Sequence, residues 1–365
     1  AIREVSLGLS FVCNIYRCLG NLNFRSRGNL YIAKMMKTTG ERPAEKIAGG
    51  RKEYRQGMTS ALMCSFFWGI LPIYWQLLRP IDSSVIIFYR IVLVAAVSLT
   101  GALLFHSREE ISAPLKDKKL VAKYALAGLL ITVNWSIYIW AVNADFVIQT
   151  SIGYYIEPLV VCVFGIVLFK EKLSKYKMIA LVFAAAGVAA VIAYFREIPL
   201  IALGLALTFA VYAAAKKNFS LPPIISLFYE TVFLVPIALG VIIYLEVSGK
   251  GALSVGDPFK FALLMLCGLF TALPLGLFAN AARKLNLFVV GLTEYISPTL
   301  SLFIGIFLFK EPFESIQLVA FAIIWVGLIF FSYGEYRESR ERHSTDCCGG
   351  EEKSVSYTNL RAHET

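Results

Sequence analysis

Two stretches 140 residues apart decide how this chain folds: YIEPLVVCVFGIVLFKE over 155–171 and YISPTLSLFIGIFLFKE over 295–311. Tyr155/Tyr295, Ile156/Ile296, Pro158/Pro298, Gly165/Gly305, Phe169/Phe309, Lys170/Lys310 and Glu171/Glu311 match at that offset. The same offset pairs Phe88-Tyr89-Arg90 with Phe228-Tyr229-Glu230, Gly128 with Gly268, Ala141 with Ala281 and Gly187 with Gly327. Any single match between apolar segments means little. Matches spread along the chain and held to one offset mark an internal repeat.

Each phrase is long and apolar enough to cross a bilayer, and so are its neighbours. From Gly57 to Gly334 the sequence is a series of apolar runs with short polar breaks. The whole chain of 365 residues is 58% hydrophobic and 16% charged. A soluble domain is nearer 45–50% apolar and about 25% charged. Crossing a hydrocarbon core of ~30 Å takes about 20 apolar residues in a helix. Ten such spans are expected, over 57–78, 84–105, 120–141, 147–169, 177–195, 198–215, 223–246, 259–282, 286–309 and 315–334. The runs are continuous, not the alternating strands of a β-barrel. They lack the amphipathic faces with which a soluble protein would cover them. The expected fold is therefore an all-α polytopic membrane protein. Its ten transmembrane helices form two inverted five-helix repeats, over 57–195 and 196–336, between tails 1–56 and 337–365.

The inversion follows from an odd number of helices per repeat, and loop charge supports it. With the N-terminus inside, internal loops hold twelve basic residues: Arg108, Lys116, Lys118, Lys119, Lys170, Lys172, Lys175, Lys177, Lys216, Lys217, Arg283 and Lys284. External loops hold four, Arg79, Arg196, Lys250 and Lys310. Basic residues collect on the cytoplasmic side, so both termini are expected there. A motif kept in both halves while its loop charge changes sign of bias is the mark of an inverted-topology repeat. The formal net charge of +10 has the same origin and implies no nucleic-acid partner.

The tails carry no functional signal. Ala1 is not an initiator, and residues 1–34 read as upstream translation or a fragment end ahead of Met35 or Met36. SVSYTNLRAHET, over 354–365, resembles a translated sequencing-library adapter, with Asn359 as one departure. Neither a cleavable secretory signal nor a lipidation signal is expected.

Charge within the spans is rare. A charged residue at mid-span costs about 2.5–3.5 kcal/mol on insertion scales, yet Arg90, Glu157, Glu230 and Glu294 all lie well inside expected spans. Asn134, Trp135, Trp140 and Asn143 add polar and aromatic capacity around the third span. Pro72, Pro158, Pro236, Pro274 and Pro298 interrupt helices and free carbonyls, as at many transport sites. A glutamate poised between desolvation and a nearby arginine can exchange a proton as a cavity changes sides. The competing reading pairs Arg90 with one glutamate as a structural bridge. The seven cysteines show neither C-x-x-C nor a histidine partner, so no metal and no cofactor is expected. Motifs for nucleotide hydrolysis, zinc proteolysis and serine nucleophiles are absent, which argues against an enzyme.

The segments RQG…FFWGILPIYW (Arg55 to Trp75), FYR, NWSIYIWAVN, SIGYYIEP, KEKLS, FYETVFLVP and EYISPTL resemble the RarD branch of the EamA-like transporters, in the drug/metabolite transporter superfamily. The resemblance runs from about Arg55 to Tyr336. It implies ten helices in two inverted halves and a permease of the bacterial inner membrane. It also places Arg90, Asn134, Trp135, Trp140, Asn143, Tyr155, Pro158, Glu230 and Pro298 at characteristic family positions. Two positions depart from the family: Glu157 stands where it has Asn, and Glu294 where it has Gln.

The expected function is a secondary transporter of small organic molecules, working by alternating access as an exporter. Its expected binding residues are Arg90, Asn134, Trp135, Trp140, Tyr155, Glu157, Glu230 and Glu294. Protons as coupling ion and a homodimeric state remain open at this point. A non-transporting scaffold, a membrane-embedded enzyme and a passive channel are the alternatives.

Overall fold

The computed structural model describes residues 43–143, 147–196, 200–310 and 315–361. The readings of residues 1–34, of the loop residues 144–146, of Glu311 and of the last four residues lie outside it, as do the side chains of Asn143 and of 354–361.

All ten expected spans are helices. They are α1 (Pro43–Leu77), α2 (Ser83–Phe105), α3 (Lys118–Asn143), α4 (Val147–Phe169), α5 (Lys175–Phe195), α6 (Leu200–Lys217), α7 (Pro223–Val247), α8 (Pro258–Lys284), α9 (Leu287–Phe309) and α10 (Ser315–Arg361). Each contains a window apolar enough to cross a membrane. The chain is an all-α, multi-pass membrane protein. α6 is the shortest to read from sequence because it is rich in alanine, and its position explains that composition. Its window is 67% buried against 28% for α5 and α10, so it faces other helices where small residues allow close approach.

Local chemistry marks the helix ends, and several marks recur at the 140-residue offset. Asp117 caps α3 by accepting from the backbone N–H groups of Lys119 and Leu120 at 3.0 and 3.2 Å. Asp257 caps α8 through Phe259 and Lys260, also at 3.0 and 3.2 Å. A carboxylate there satisfies donors left over by the first helical turn. At the far end of the repeated phrase, Lys170 (φ 52°) and Lys310 (φ 54°) both take the left-handed conformation that ends a helix sharply.

Proline treats the two copies differently. α4 runs continuously through Pro158. α9 breaks at Tyr295, one turn before Pro298, and finishes as a π-helix over Ile304–Phe309. The missing proline N–H leaves the carbonyl four residues earlier without its helical donor, and in α9 that residue is Glu294. α7 likewise passes through a 3₁₀ turn at Val232–Leu234, just before Pro236.

The chain divides into two compact units that cut across the sequence repeats. One holds α1–α4 and α6–α9, the other α5 and α10. In the larger unit, α1 packs on α8 and α9 while α6 packs on α3 and α4; α2 meets α8 while α7 meets α3. The self-paired contacts are α2 with α7 and α4 with α9. Exchanging each helix for the one five places on reproduces this set. Glycines sit at the closest approaches: a Cβ on Gly128 would strike the Glu230 carbonyl, and one on Gly268 the Leu93 backbone. In the smaller unit a Cβ on Gly187 would lie 2.9 Å from the Ala320 carbonyl oxygen, and one on Gly327 3.0 Å from that of Ala180. There Lys177 also bridges Glu335 and Glu338, at 2.8 Å each.

Candidate functional site

The polar residues expected inside the spans fall into three groups. The first is a closed ion pair. Glu230 on α7 is 0% exposed and Lys216, at the end of α6, is 1% exposed. Lys216 Nζ and Ser226 Oγ each donate to Glu230 Oε1 at 2.5 Å, and the Tyr212 hydroxyl donates to Oε2 at 3.1 Å. Both oxygens are therefore occupied. Asn134 plays a comparable part between α3 and α6, its Nδ2 donating to the Leu205 carbonyl at 2.8 Å and to Thr208 Oγ1 at 2.9 Å. The carboxylate of Glu230 is thus fully used within the protein, and the amide nitrogen of Asn134 braces α3 against α6.

The second group is the reverse. Arg90 on α2 contacts two indoles, its guanidinium carbon 3.7 Å from the Trp135 ring centroid and 5.6 Å from that of Trp75. Its Nε is buried without an acceptor. Among the described residues no carboxylate pairs with it. The bridge from Arg90 to a glutamate is thus not formed; Lys216 occupies Glu230 instead. From Trp135 an aromatic row continues one turn along α3 to Tyr138. That ring meets Tyr154 of α4 edge-on at 6.1 Å. Tyr154 stands one turn before Glu157. Trp140 is on a different face of α3 and is 58% exposed.

The third group joins α4 and α9. Glu294 is 5% exposed, and neither of its carboxylate oxygens has a hydrogen-bond partner. Glu157, half-buried on α4, is close enough for the two charges to interact. Beside them the Tyr295 hydroxyl donates to the Tyr155 carbonyl at 3.0 Å, so the repeated tyrosines meet each other. Gly291 allows this contact, since a Cβ there would lie 2.8 Å from both Cys162 Sγ and the Pro158 carbonyl oxygen. Two cysteines finish the packing: Cys64 Sγ donates to the Pro274 carbonyl at 3.2 Å, and Cys162 Sγ to that of Phe288 at 3.4 Å.

One end of the larger unit is also tied together. Glu171 accepts from the backbone N–H groups of Leu287 and Phe288 at 2.7 and 2.9 Å, capping the start of α9. Lys217 Nζ stands 3.2 Å from Glu171 and donates to the Leu285 carbonyl at 2.6 Å. A carboxylate at a helix N-terminus meets both free donors and the positive end of the helix dipole. In the sequence Lys216 and Lys217 read only as loop charge, and Glu171 only as part of the repeated phrase. Trp75 reads only as part of a motif.

The model of the EamA-like transporter family matches twice, over residues 55–193 and 198–333. This chain belongs to the EamA-like transporter family. The family member is 39% identical over 297 residues to "Uncharacterized transporter YojE" of Bacillus subtilis, an alignment covering 80% of this chain and 98% of that protein. It is 33% identical to "Protein RarD" of Salmonella typhi, over 77% of this chain and 95% of that one. With "Protein RarD" of Escherichia coli it shares 31% over the same fractions. Among solved structures, a protein crystal structure only 15% identical superposes with a TM-score of 0.58, covering 76% of this chain and 97% of that chain. That last likeness concerns the fold. This EamA-like protein is a membrane transporter of the drug/metabolite superfamily.

Proposed function

We propose that this transporter is a secondary carrier of the bacterial inner membrane that exports small organic molecules by alternating access of two inverted five-helix halves. Both termini face the cytoplasm, and the coupling ion is the proton. The observation that carries this reading is the pair Glu157–Glu294, with the two oxygens of Glu294 buried and unpartnered. Ionised carboxylates without partners are expensive in a dry interior, and a second carboxylate nearby disfavours the charged form further. A site that holds a proton while closed and yields it when opened is the working part of a proton-coupled carrier. Helices α4 and α9, which bear the pair, are self-paired across the repeat and so lie where two rocking halves would meet.

On this reading Arg90, Trp135, Glu157 and Glu294 serve substrate and proton, while Asn134, Glu230 and the Tyr155–Tyr295 contact set the frame. The Glu171–Lys217 tie at the start of α9 is the closed cytoplasmic gate, which leaves the opposite side accessible. The test is transport into proteoliposomes across a broad metabolite panel, with and without an imposed pH gradient. Gradient-dependent flux that vanishes in Glu157→Gln is expected. Absence of gradient-dependent flux, together with absence of exchange, would sink the proposal.

A further inference from the structure

Resting on that reading and naming its substrate class, we infer that the slot formed by Trp75, Arg90 and Trp135 binds a carboxylate group carried on a flat organic substrate. Arg90 is half-buried with its Nε fully enclosed, and its guanidinium has ring contacts but no carboxylate partner among the described residues. Trp135 lies against the guanidinium carbon at 3.7 Å and Trp75 at 5.6 Å. Stacking of this kind satisfies the charge through the ring π-systems. It supplies no acceptor for the N–H groups, which point outward in the guanidinium plane, and Nε is left unmet.

The protein holds acids that could have filled this need and spends them elsewhere. Glu246, bonded at 2.8 Å to the hydroxyl of the adjacent Tyr89, also accepts from the backbone N–H groups of Ala252 and Leu253 at 2.7 and 3.1 Å. Glu230 is saturated by Lys216, Ser226 and Tyr212. Glu294 forms no ion pair with the arginine and has no hydrogen-bond partner. The missing acceptor must therefore come from outside the chain.

Geometry selects its chemistry. A guanidinium presents a planar fork of donors that a carboxylate matches with two parallel bonds. The two indoles beside it offer apolar walls to a flat body attached to an incoming group. The aromatic row of Trp135, Tyr138 and Tyr154 extends those walls toward Glu157. The slot thus favours a planar carboxylate over an amine, an amide or a spherical anion.

Binding tests this separately from transport. Purified full-length protein in detergent and chloride buffer is titrated with benzoate, cinnamate and indole-3-acetate, each against its own primary amide, and with benzylamine. The readouts are thermal unfolding and tryptophan fluorescence, which Trp75 and Trp135 report directly. At least one carboxylate is expected to raise the unfolding temperature by a few degrees and bind about tenfold or more tightly than its amide. Arg90→Gln is expected to abolish that preference, and Arg90→Lys, which keeps charge without the fork, to restore only part of it. The wild-type comparison of acid with amide stands whether or not the variants fold. Equal binding of acids and amides, preference for benzylamine, no response to any carboxylate, or an Arg90→Gln protein that binds like wild type would each overturn the inference. Carboxylate binding without any flux in proteoliposomes would remove the transport reading alone. Gradient-driven flux of other solutes without carboxylate binding would remove this one alone.

Discussion

Arg90 and Glu230 stand at one and the same place in the two repeats, 140 residues apart in FYR and FYE, and the protein treats them in opposite ways. Glu230 is wholly buried and meets a lysine, a serine and a tyrosine. Arg90 contacts two indoles and has a donor left over. Their surroundings diverge as completely. The repeat counterparts of Lys216, Tyr212 and Ser226 are Gln76, Pro72 and Ile86, and those of Trp75 and Trp135 are Ala215 and Leu275. Neither half could host the other's arrangement. Where the halves agree, in caps, glycines and helix pairs, they build the frame. Where they disagree, one half closes and the other is left ready for something it does not contain.

The sharpest way to break this comparison is to open the closed half. Lys216→Ala strands a fully buried carboxylate, which typically costs about 3–5 kcal/mol. The expected result is poor yield or a large fall in unfolding temperature in detergent. Lys216→Met with Glu230→Leu removes both charges and is expected to recover most of that loss. If Lys216→Ala unfolds like wild type, the pair is not closed as described.

Next come the matched glycines, where the halves should behave alike. Gly128→Ala pushes a methyl into the Glu230 carbonyl, and Gly268→Ala pushes one into the Leu93 backbone. Overpacking of this kind costs typically about 1–3 kcal/mol. Comparable losses of thermal stability in the two variants are expected. A neutral result at one site alone would show that the repeat symmetry of the frame is local.

Arg90→Gln should move stability far less than Lys216→Ala, by about 1 kcal/mol or less, since what is lost is stacking. A fall as large as that of Lys216→Ala would make Arg90 a second structural charge and erase the contrast. Smallest in stability is Glu157→Gln, an isosteric change at a half-buried position. Its expected effect is on pH response: flux should lose its dependence on the imposed gradient while insertion and unfolding temperature stay near wild type. Unchanged kinetics would return Glu157 to the frame.

Much of the frame was readable because it is written in apolar run length and in repetition. Ten runs became ten helices, and the offset of the two phrases reappears in caps at Asp117 and Asp257 and in left-handed residues at Lys170 and Lys310. The site was less legible, for a physical reason. Lys216 at the end of an alanine-rich helix looks the same as a lysine that anchors a span at the cytoplasmic surface. Only folding back across Pro222 and Pro223 brings α7 against it and buries it to 1% exposure. The slot around Arg90 draws one residue from each of three helices, so no spacing along the chain announces it. Glu294 could be singled out as a charge in a span, but not the absence of any partner for it.

The packing of α5 on α10 has a consequence of its own. What Gly187 meets at Ala320, Gly327 meets at Ala180, so the contact is isologous: each side offers the other the surface it receives. Interfaces of that kind belong to pairs of identical subunits. Here the two identical-looking surfaces lie within one chain, so the packing of α5 on α10 follows the rule of a two-fold dimer without a second molecule. Because both surfaces are written in one chain, the matched position of FYR and FYE can be an arginine in one half and a glutamate in the other, which no pair of identical subunits could hold.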